Sequence, residues 1–321
     1  MPFPVPRLIK PLLLSALAAA AFAVHAAVPV AAAPPVPLLW KVSDADNSVY
    51  LLGSFHLLKP GDYPLSSDVD AAFADAASLV FELAPAEMAS PALGMQMGQA
   101  ALRTDGTTLD SELPAQTAAQ LQRWLAANAE LVQKMGLTPQ VMQMFEPWFV
   151  GLTISVTEMT KQGLDPKLGL DAHMAGLAAK AAKPVSGLET GAQQIEMLDG
   201  MEKAEQLQFL AEALSHAQDG GEETMELHAA WRAGDAEGLW NGMAADMKRD
   251  YPRLYQRINV ARNDAWVPRV EQRLTAPGTD DTLVVVGALH LLGPDGVVEK
   301  LRARGYQVER VCSACAPAAA K

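Results

Sequence analysis

The chain has 321 residues, half of them hydrophobic and 19 % charged, and its 37 acids against 25 lysines and arginines leave a formal net charge of −12. That apolar fraction supplies one large core or two modest ones and excludes a largely disordered chain. The acidic balance excludes the basic face that nucleic acid requires and offers nothing to an anionic membrane.

In chain order, Arg7 and Lys10 precede an apolar run from Pro11 to Val24, and Val24-His25-Ala26 has the small-x-small form of a cleavage signal. A run of about fourteen residues is too short for a membrane span of about twenty. Residues 1–26 are therefore expected to be a secretory signal peptide, cleaved near Ala26, which places the mature protein in the periplasm or outside the cell. No cysteine follows the cleavage region to carry a lipid anchor, and no stable membrane insertion is expected after cleavage. Loss of Arg7 and Lys10 takes the charge from −12 to −14, because no acid precedes Ala26, and loss of His25 leaves five histidines. Residues 27–37, rich in Ala, Pro and Val without periodicity, read as a flexible lead-in.

Leu38 to Ser43 and Ser48 to Ser54 are apolar or alternating runs around Asp44-Ala45-Asp46-Asn47, the pattern of a β-hairpin. Pro64 to Ala76 has helical spacing, with Ser66 or Ser67 as N-cap, and Ser78 to Leu83 reads as a buried strand. Strand, helix and strand in succession predict a βαβ unit. From about Ser90 to Gln218 the chain is helical, punctuated by Gly and Pro, with Met95, Met97, Met142 and Met144 assigned to its core. Lys183 to Glu189 interrupts it as a short strand. Helices resume over Glu222 to Leu274, including a long one from about Tyr255. Asp281 to Gly287 is the clearest strand, followed by a helix from Asp295 to Arg304 and a strand from Tyr306 to Val311.

The predicted fold class is α/β (α+β). A central mixed sheet is built from the N- and C-terminal segments of one domain over 38–311, since the terminal strands alone would make small cores. A large helical insertion over about 90–275 lies on the sheet edge as a lid or bundle. Residues 312–321 form a tail, in which Cys312 and Cys315 of V-C-S-A-C-A suit a local disulfide better than a redox pair or a zinc site of four ligands.

The chemistry lies in a repeat. Leu52-Gly53-Ser54-Phe55-His56-Leu57-Leu58-Lys59-Pro60 and Val286-Gly287-Ala288-Leu289-His290-Leu291-Leu292-Gly293-Pro294 are near copies 234 residues apart, each hanging a histidine past an apolar strand. Residues just beyond the carboxyl ends of parallel strands point into the ligand crevice, and a glycine three residues earlier permits close approach. Glu82 interrupts the apolar V-F-E-L, and a buried carboxylate is costly unless paired. His56 and His290 would hold a divalent metal ion, zinc, manganese or cobalt, with an open position for water, and Glu82 would either bind the ion or act as general base.

Glu189 in G-L-E-T reads either as a second carboxylate or as a residue placed at the dipole of the helix beginning near Thr190. Arg262, followed by Asn263, is either a solvated helix residue or an inward partner of Glu82 able to stabilise an oxyanion. Asp171 and His173 do not share a helix face, and Asp171 reads as a cap or helix-start residue. His216 and His228 are assigned to the surface. No H-E-x-x-H, G-x-S-x-G or P-loop is present.

These motifs carry a resemblance. L-L-G-S-F-H-L-L, V-F-E-L, D-A-H-M, K-P-V-S-G-L-E-T with Gln194, W-R-A-G-D from Trp231, R-N-D-A-W from Arg262, and V-V-V-G-A-L-H-L-L-G-P-D-G-V with R-G-Y-Q-V-E-R-V together resemble the TraB/GumN family, related to the Tiki metalloproteases. The resemblance runs from about Leu38 to Val311, with Ser54 where a threonine is common. It implies an α/β core with inserted helices and a divalent-metal peptidase site at His56, His290 and Glu82, with Glu189 and Arg262 on further motif positions. The expected function is a secreted metal-dependent hydrolase acting on a peptide or protein. The alternatives are a non-catalytic binder of haem or a peptide in the same crevice, with Tyr50 or Tyr63 near the first motif, and an accessory protein whose helical segment binds a partner.

Overall fold

In a computed structural model the chain is described from residue 33 to residue 315. The expected signal peptide, the start of the lead-in and the end of the tail lie outside the described residues. Everything below belongs to the compact unit that begins at Pro34.

Six strands form one mixed sheet: β1 Leu39–Ser43, β2 Ser48–Ser54, β3 Ser78–Leu83, β4 Val185–Glu189, β5 Thr282–Gly287 and β6 Gln307–Arg310. Their order is β4-β3-β5-β2-β1-β6. β1 pairs antiparallel with β2 and with β6, whereas β2, β5, β3 and β4 run parallel. β2 and β5 are buried at every position. Central parallel strands covered on both faces require such unbroken apolar runs as V-Y-L-L and L-V-V-V.

The expected hairpin is β1 and β2, and the two ends of the chain share the sheet as predicted. The expected βαβ unit, β2, helix Ser67–Asp75 and β3, is present, but β5 is inserted between its two strands. Ser66 precedes that helix without a side-chain capping bond. Helices between β3 and β5 carry their own cores, one built around Leu121, Trp124, Ile154 and Leu210. Among the described residues no helix is long and apolar enough to cross a membrane.

Four expectations change. The described part of the lead-in is fixed, because Val36 N–H donates to Arg232 O at 2.8 Å and Ser66 N–H to Pro35 O at 3.0 Å. The long helix from Tyr255 is broken into Pro252–Tyr255, a π-helical turn Gln256–Val260 and Ala261–Leu274. Such turns re-aim the residues that follow them, and here Arg262 follows. Of the four methionines, Met142 is buried and Met97 packs on a core, but Met95 and Met144 are exposed. His228 is buried, not on the surface, because it shares a helix face with Trp231, three residues on, and that face packs on Phe55. Its Nε2 lies 2.8 Å from the buried Asp62, which also accepts from Arg232. Cys312 and Cys315 are joined in a disulfide.

Candidate metal and catalytic site

The carboxyl ends of β2, β5, β3 and β4 share one edge, where Ser54 is level with Gly287 and Leu83 with Glu189. This register delivers His56, His290, Glu82 and Glu189 to one place from positions far apart in sequence. Arg262 and Asn263 reach it from the helix Ala261–Leu274. His56 Nε2 and His290 Nε2 each lie 3.9 Å from Glu82 Oε1.

Each imidazole is oriented through its other nitrogen. His56 Nδ1 is 2.8 Å from Asp171 Oδ2, and the same oxygen accepts from Ser54 Oγ. His290 Nδ1 is 2.7 Å from Asn263 Oδ1, while Asn263 Nδ2 donates to Asp295 O at 2.8 Å. Arg262 NH1 stands 3.0 Å from His290 Nε2. Arginine has no acceptor, so Nε2 is the bare nitrogen and Nδ1 carries the proton. Burial first, with Arg262 acting in the same sense, pushes His290 down to about 3 and keeps it neutral. Asp171 raises the pKa of His56 against the opposing effect of burial. The His56 side chain is 55 % exposed, so solvent screens that pair.

Glu82 is buried, which by itself would raise its pKa, yet Arg262, the two histidines and the Gly287 N–H hold it down to about 2. Its Oε1 accepts from Gly287 N at 2.7 Å and its Oε2 from Arg262 NH2 at 2.5 Å. The buried acid of V-F-E-L therefore has its counter-charge in Arg262, and the metal is not needed for that purpose. The solvated reading of Arg262 falls with this contact.

Arg262 spends all five donors. Nε and NH2 bind Glu189 at 3.1 and 2.5 Å, NH2 also binds Glu82, and NH1 faces His290 and Ile258 O. None is left for an oxyanion, so its expected catalytic role becomes a positioning one. Glu189 is likewise a positioning residue here, held by Arg262, by Trp266 Nε1 at 3.2 Å and by Gln194 Nε2 at 2.8 Å. The helix-dipole reading misses this, because the carboxylate turns towards the sheet edge.

The donor types, two imidazoles and a carboxylate, are those of a divalent-ion site. Metal-bound histidines are typically fixed through their second nitrogen by a carboxylate or carbonyl oxygen, as both are here. Two atoms 3.9 Å apart can share an ion at bond lengths of about 2.0–2.2 Å. Gly287 keeps the centre clear: a Cβ there would lie 3.2 Å from both Glu82 Oε1 and His56 Nε2 and 3.6 Å from His290 Cδ2. Among the described residues the triplet with ligand atoms all within 4.8 Å of one another is a different one, His216, Asp219 and Glu223. His56, His290 and Glu82 do not all come within that span: each histidine is 3.9 Å from Glu82, so the imidazoles are the wide pair, and Arg262 NH1 occupies His290 Nε2, so an ion would have to draw the rings together and displace that contact.

Sequence reasoning missed Asp171, Asn263 and Ser54 as orienting groups. Asp171 was masked by its position: the N-cap of its helix is Gly169, which leaves the carboxylate free to turn to His56. Gly169 itself is required, since a Cβ would fall 2.0 Å from His56 O. His173 stacks on Tyr63 at 4.2 Å and takes no part in the site. Tyr50 donates to Asp75 and Tyr63 to Leu168 O, both at 2.6 Å, so the two candidate haem ligands are committed to the fold.

Residues 38–310 match the TraB/PrgY/gumN family. The uncharacterized protein YbaP of Escherichia coli (strain K12) and that of Shigella flexneri are each 27 % identical to this chain over 170 residues, 53 % of this chain and 61 % of theirs. The match thus spans less than two thirds of the length of those relatives. No solved structure matches the chain significantly. Because the matched region takes in all six strands and both G-x-x-H motifs, the chain belongs to the TraB/PrgY/gumN family.

Proposed function

We propose that the protein is a metal-dependent hydrolase of peptide bonds that acts outside the cytoplasm. The observation that carries this reading is the pair of imidazoles, each fixed at Nδ1 and each with its Nε2 3.9 Å from Glu82 Oε1 beside Gly287. A divalent ion, zinc, manganese or cobalt, held by His56, His290 and Glu82 would supply Lewis acidity and a bound water of lowered pKa.

The protein's own groups divide the remaining work. Glu82 Oε2 is tied to Arg262, whereas Oε1 carries only the Gly287 N–H, so Oε1 is the atom that would either bind the ion or take a proton from water. Arg262 and Glu189 hold Glu82 in place from one side. Asp171 and Asn263 fix the ring planes of His56 and His290 from the other. The basic and apolar start of the chain supports export, and secretion would place the Cys312–Cys315 disulfide in an oxidising compartment.

Metal analysis and peptide-library cleavage test the reading. The mature protein should take up about one divalent ion, His56→Ala/His290→Ala should take up none, and chelation should abolish cleavage. An intact protein that binds no divalent metal refutes the proposal. Amino-terminal sequencing of exported protein should begin near Ala27.

A further inference from the structure

Two cavities are each lined by members of the ion network. Glu82 lines one, of about 650 Å³, together with His56 and Asp171. Arg262 and Glu189 line the other, of about 720 Å³, together with Arg253, Arg257 and Arg269. The first differs from the second in its lining, which away from the site is apolar: Leu57, Phe81, Leu83, Met88, Ala172 and Ala175.

Every charge on the wall of the first cavity already has a partner. Glu82 is taken by Arg262 and Gly287 N–H, and Asp171 by His56 and Ser54. The one amide, Gln194, donates to Glu189. An anionic group entering this space would face Glu82 and Asp171 unpaired, and a cationic one would have to compete with Arg262 and His56 for them, losses that apolar walls do not return. An apolar group would gain by burial. The volume lies within the usual range of about 300–1,000 Å³ for small-ligand sites. Met88, 59 % exposed, is a large apolar side chain with nothing over it, and its flexible thioether can adapt to different occupants.

We infer that this cavity is the specificity pocket for an uncharged apolar side chain of the substrate. A side chain seated between Phe81 and Ala175 places the adjoining backbone amide at His56 and Glu82, where hydrolysis is proposed. The inference rests on that reading for its meaning, but the pocket is measurable without metal or turnover.

The test uses the full chain treated with chelator and three neutral-ended probes: N-acetyl-phenylalanine amide, N-acetyl-aspartic acid amide and N-acetyl-lysine amide. Titration by ligand-observed NMR should show the phenylalanine amide binding at least about ten-fold more tightly than either charged probe, since burying one aromatic side chain is worth that ratio or more. Ala172→Trp and Ala89→Trp fill the cavity from two walls at exposed positions, and each should weaken the phenylalanine amide about ten- to hundred-fold while leaving the circular dichroism unchanged. Equal binding of the three probes, no measurable binding of the phenylalanine amide, or binding indifferent to both substitutions overturns the inference. Cleavage without preference for apolar residues would sink the pocket and keep the hydrolase. Probe binding without cleavage of any peptide would do the reverse.

Discussion

Replacing Arg262 with methionine removes the counter-charge of two carboxylates whose side chains are only 11 % and 9 % exposed. Methionine keeps the length of the aliphatic stem while removing the guanidinium, including its face over the Trp266 ring at 4.6 Å. Removing one partner of a buried ion pair costs about 3–5 kcal/mol. With an unfolding entropy of about 2.1 cal/mol/K per residue over roughly 280 described residues, that is a fall in Tm of about 5–8 °C. The pH dependence has a definite sign. In the native protein Glu82 is held at about 2, below its ordinary value of 4.5. Its stabilisation is complete above pH 4.5 and is lost as pH falls towards 2. Without Arg262, burial dominates and raises the pKa, so the penalty exists while Glu82 is ionised and is relieved by protonation. Thermal melts from pH 8 to pH 4 should therefore show the widest gap between native and variant at neutral pH and a much smaller one at pH 4. A Tm difference below about 1 °C at pH 7.5, or one that does not narrow in acid, would refute the assignment of Arg262 as the partner of Glu82.

Gly287→Ala has no backbone penalty, but its Cβ would sit 3.2 Å from His56 Nε2 and Glu82 Oε1, inside the usual contact of about 3.5–4.0 Å. Metal affinity, read by titration, should drop about ten- to hundred-fold, the usual cost of disturbing the groups around a metal site; an unchanged affinity would remove the ion from this position. Asp62→Ala leaves His228 and Arg232 without their shared acceptor and should cost about 3–5 kcal/mol in urea unfolding at pH 7. The Asp62 pKa is lowered, burial being outweighed by Lys59 N–H, His228 and Arg232. Its contribution is present above the ordinary carboxylate range and fades as pH drops through the lowered value, so the native and variant stabilities should converge in acid. Parallel pH curves would count against the triad.

The strands were legible because parallel strands buried on both faces leave a simple mark, unbroken runs such as L-V-V-V between turn residues. The histidine pair was legible because a repeat with matched flanks carries more information than either copy alone. What sequence could not show was direction. Arg262 lies in a polar-looking stretch, and only the π-helical turn before it and the approach of β3 and β4 turn it inward. Asp171 is an acid in the first turn of a helix, a place where carboxylates are common for local reasons, and nothing local marks its contact with His56 115 residues away. His228 looked solvated because its helix is polar on its other faces, and its burial depends on Asp62, which lies 166 positions earlier.

The place of β5 in the sheet has a consequence for timing. His56 follows β2 and Glu82 lies near the end of β3, two strands that do not touch because β5, the penultimate strand among the described residues, separates them. A growing polypeptide that has produced everything up to Leu274 has both of those strands but no common neighbour for them, and lacks His290 and the Gly287 N–H as well. Non-local parallel pairing is slow to form, and domains gain their long-range contacts only when the whole sequence is present. The cluster is therefore completed last, and a chain ending before β5 carries two open strand edges instead of the assembled cluster. Any chemistry proposed for these residues thus waits on the pairing of β5 with both β2 and β3.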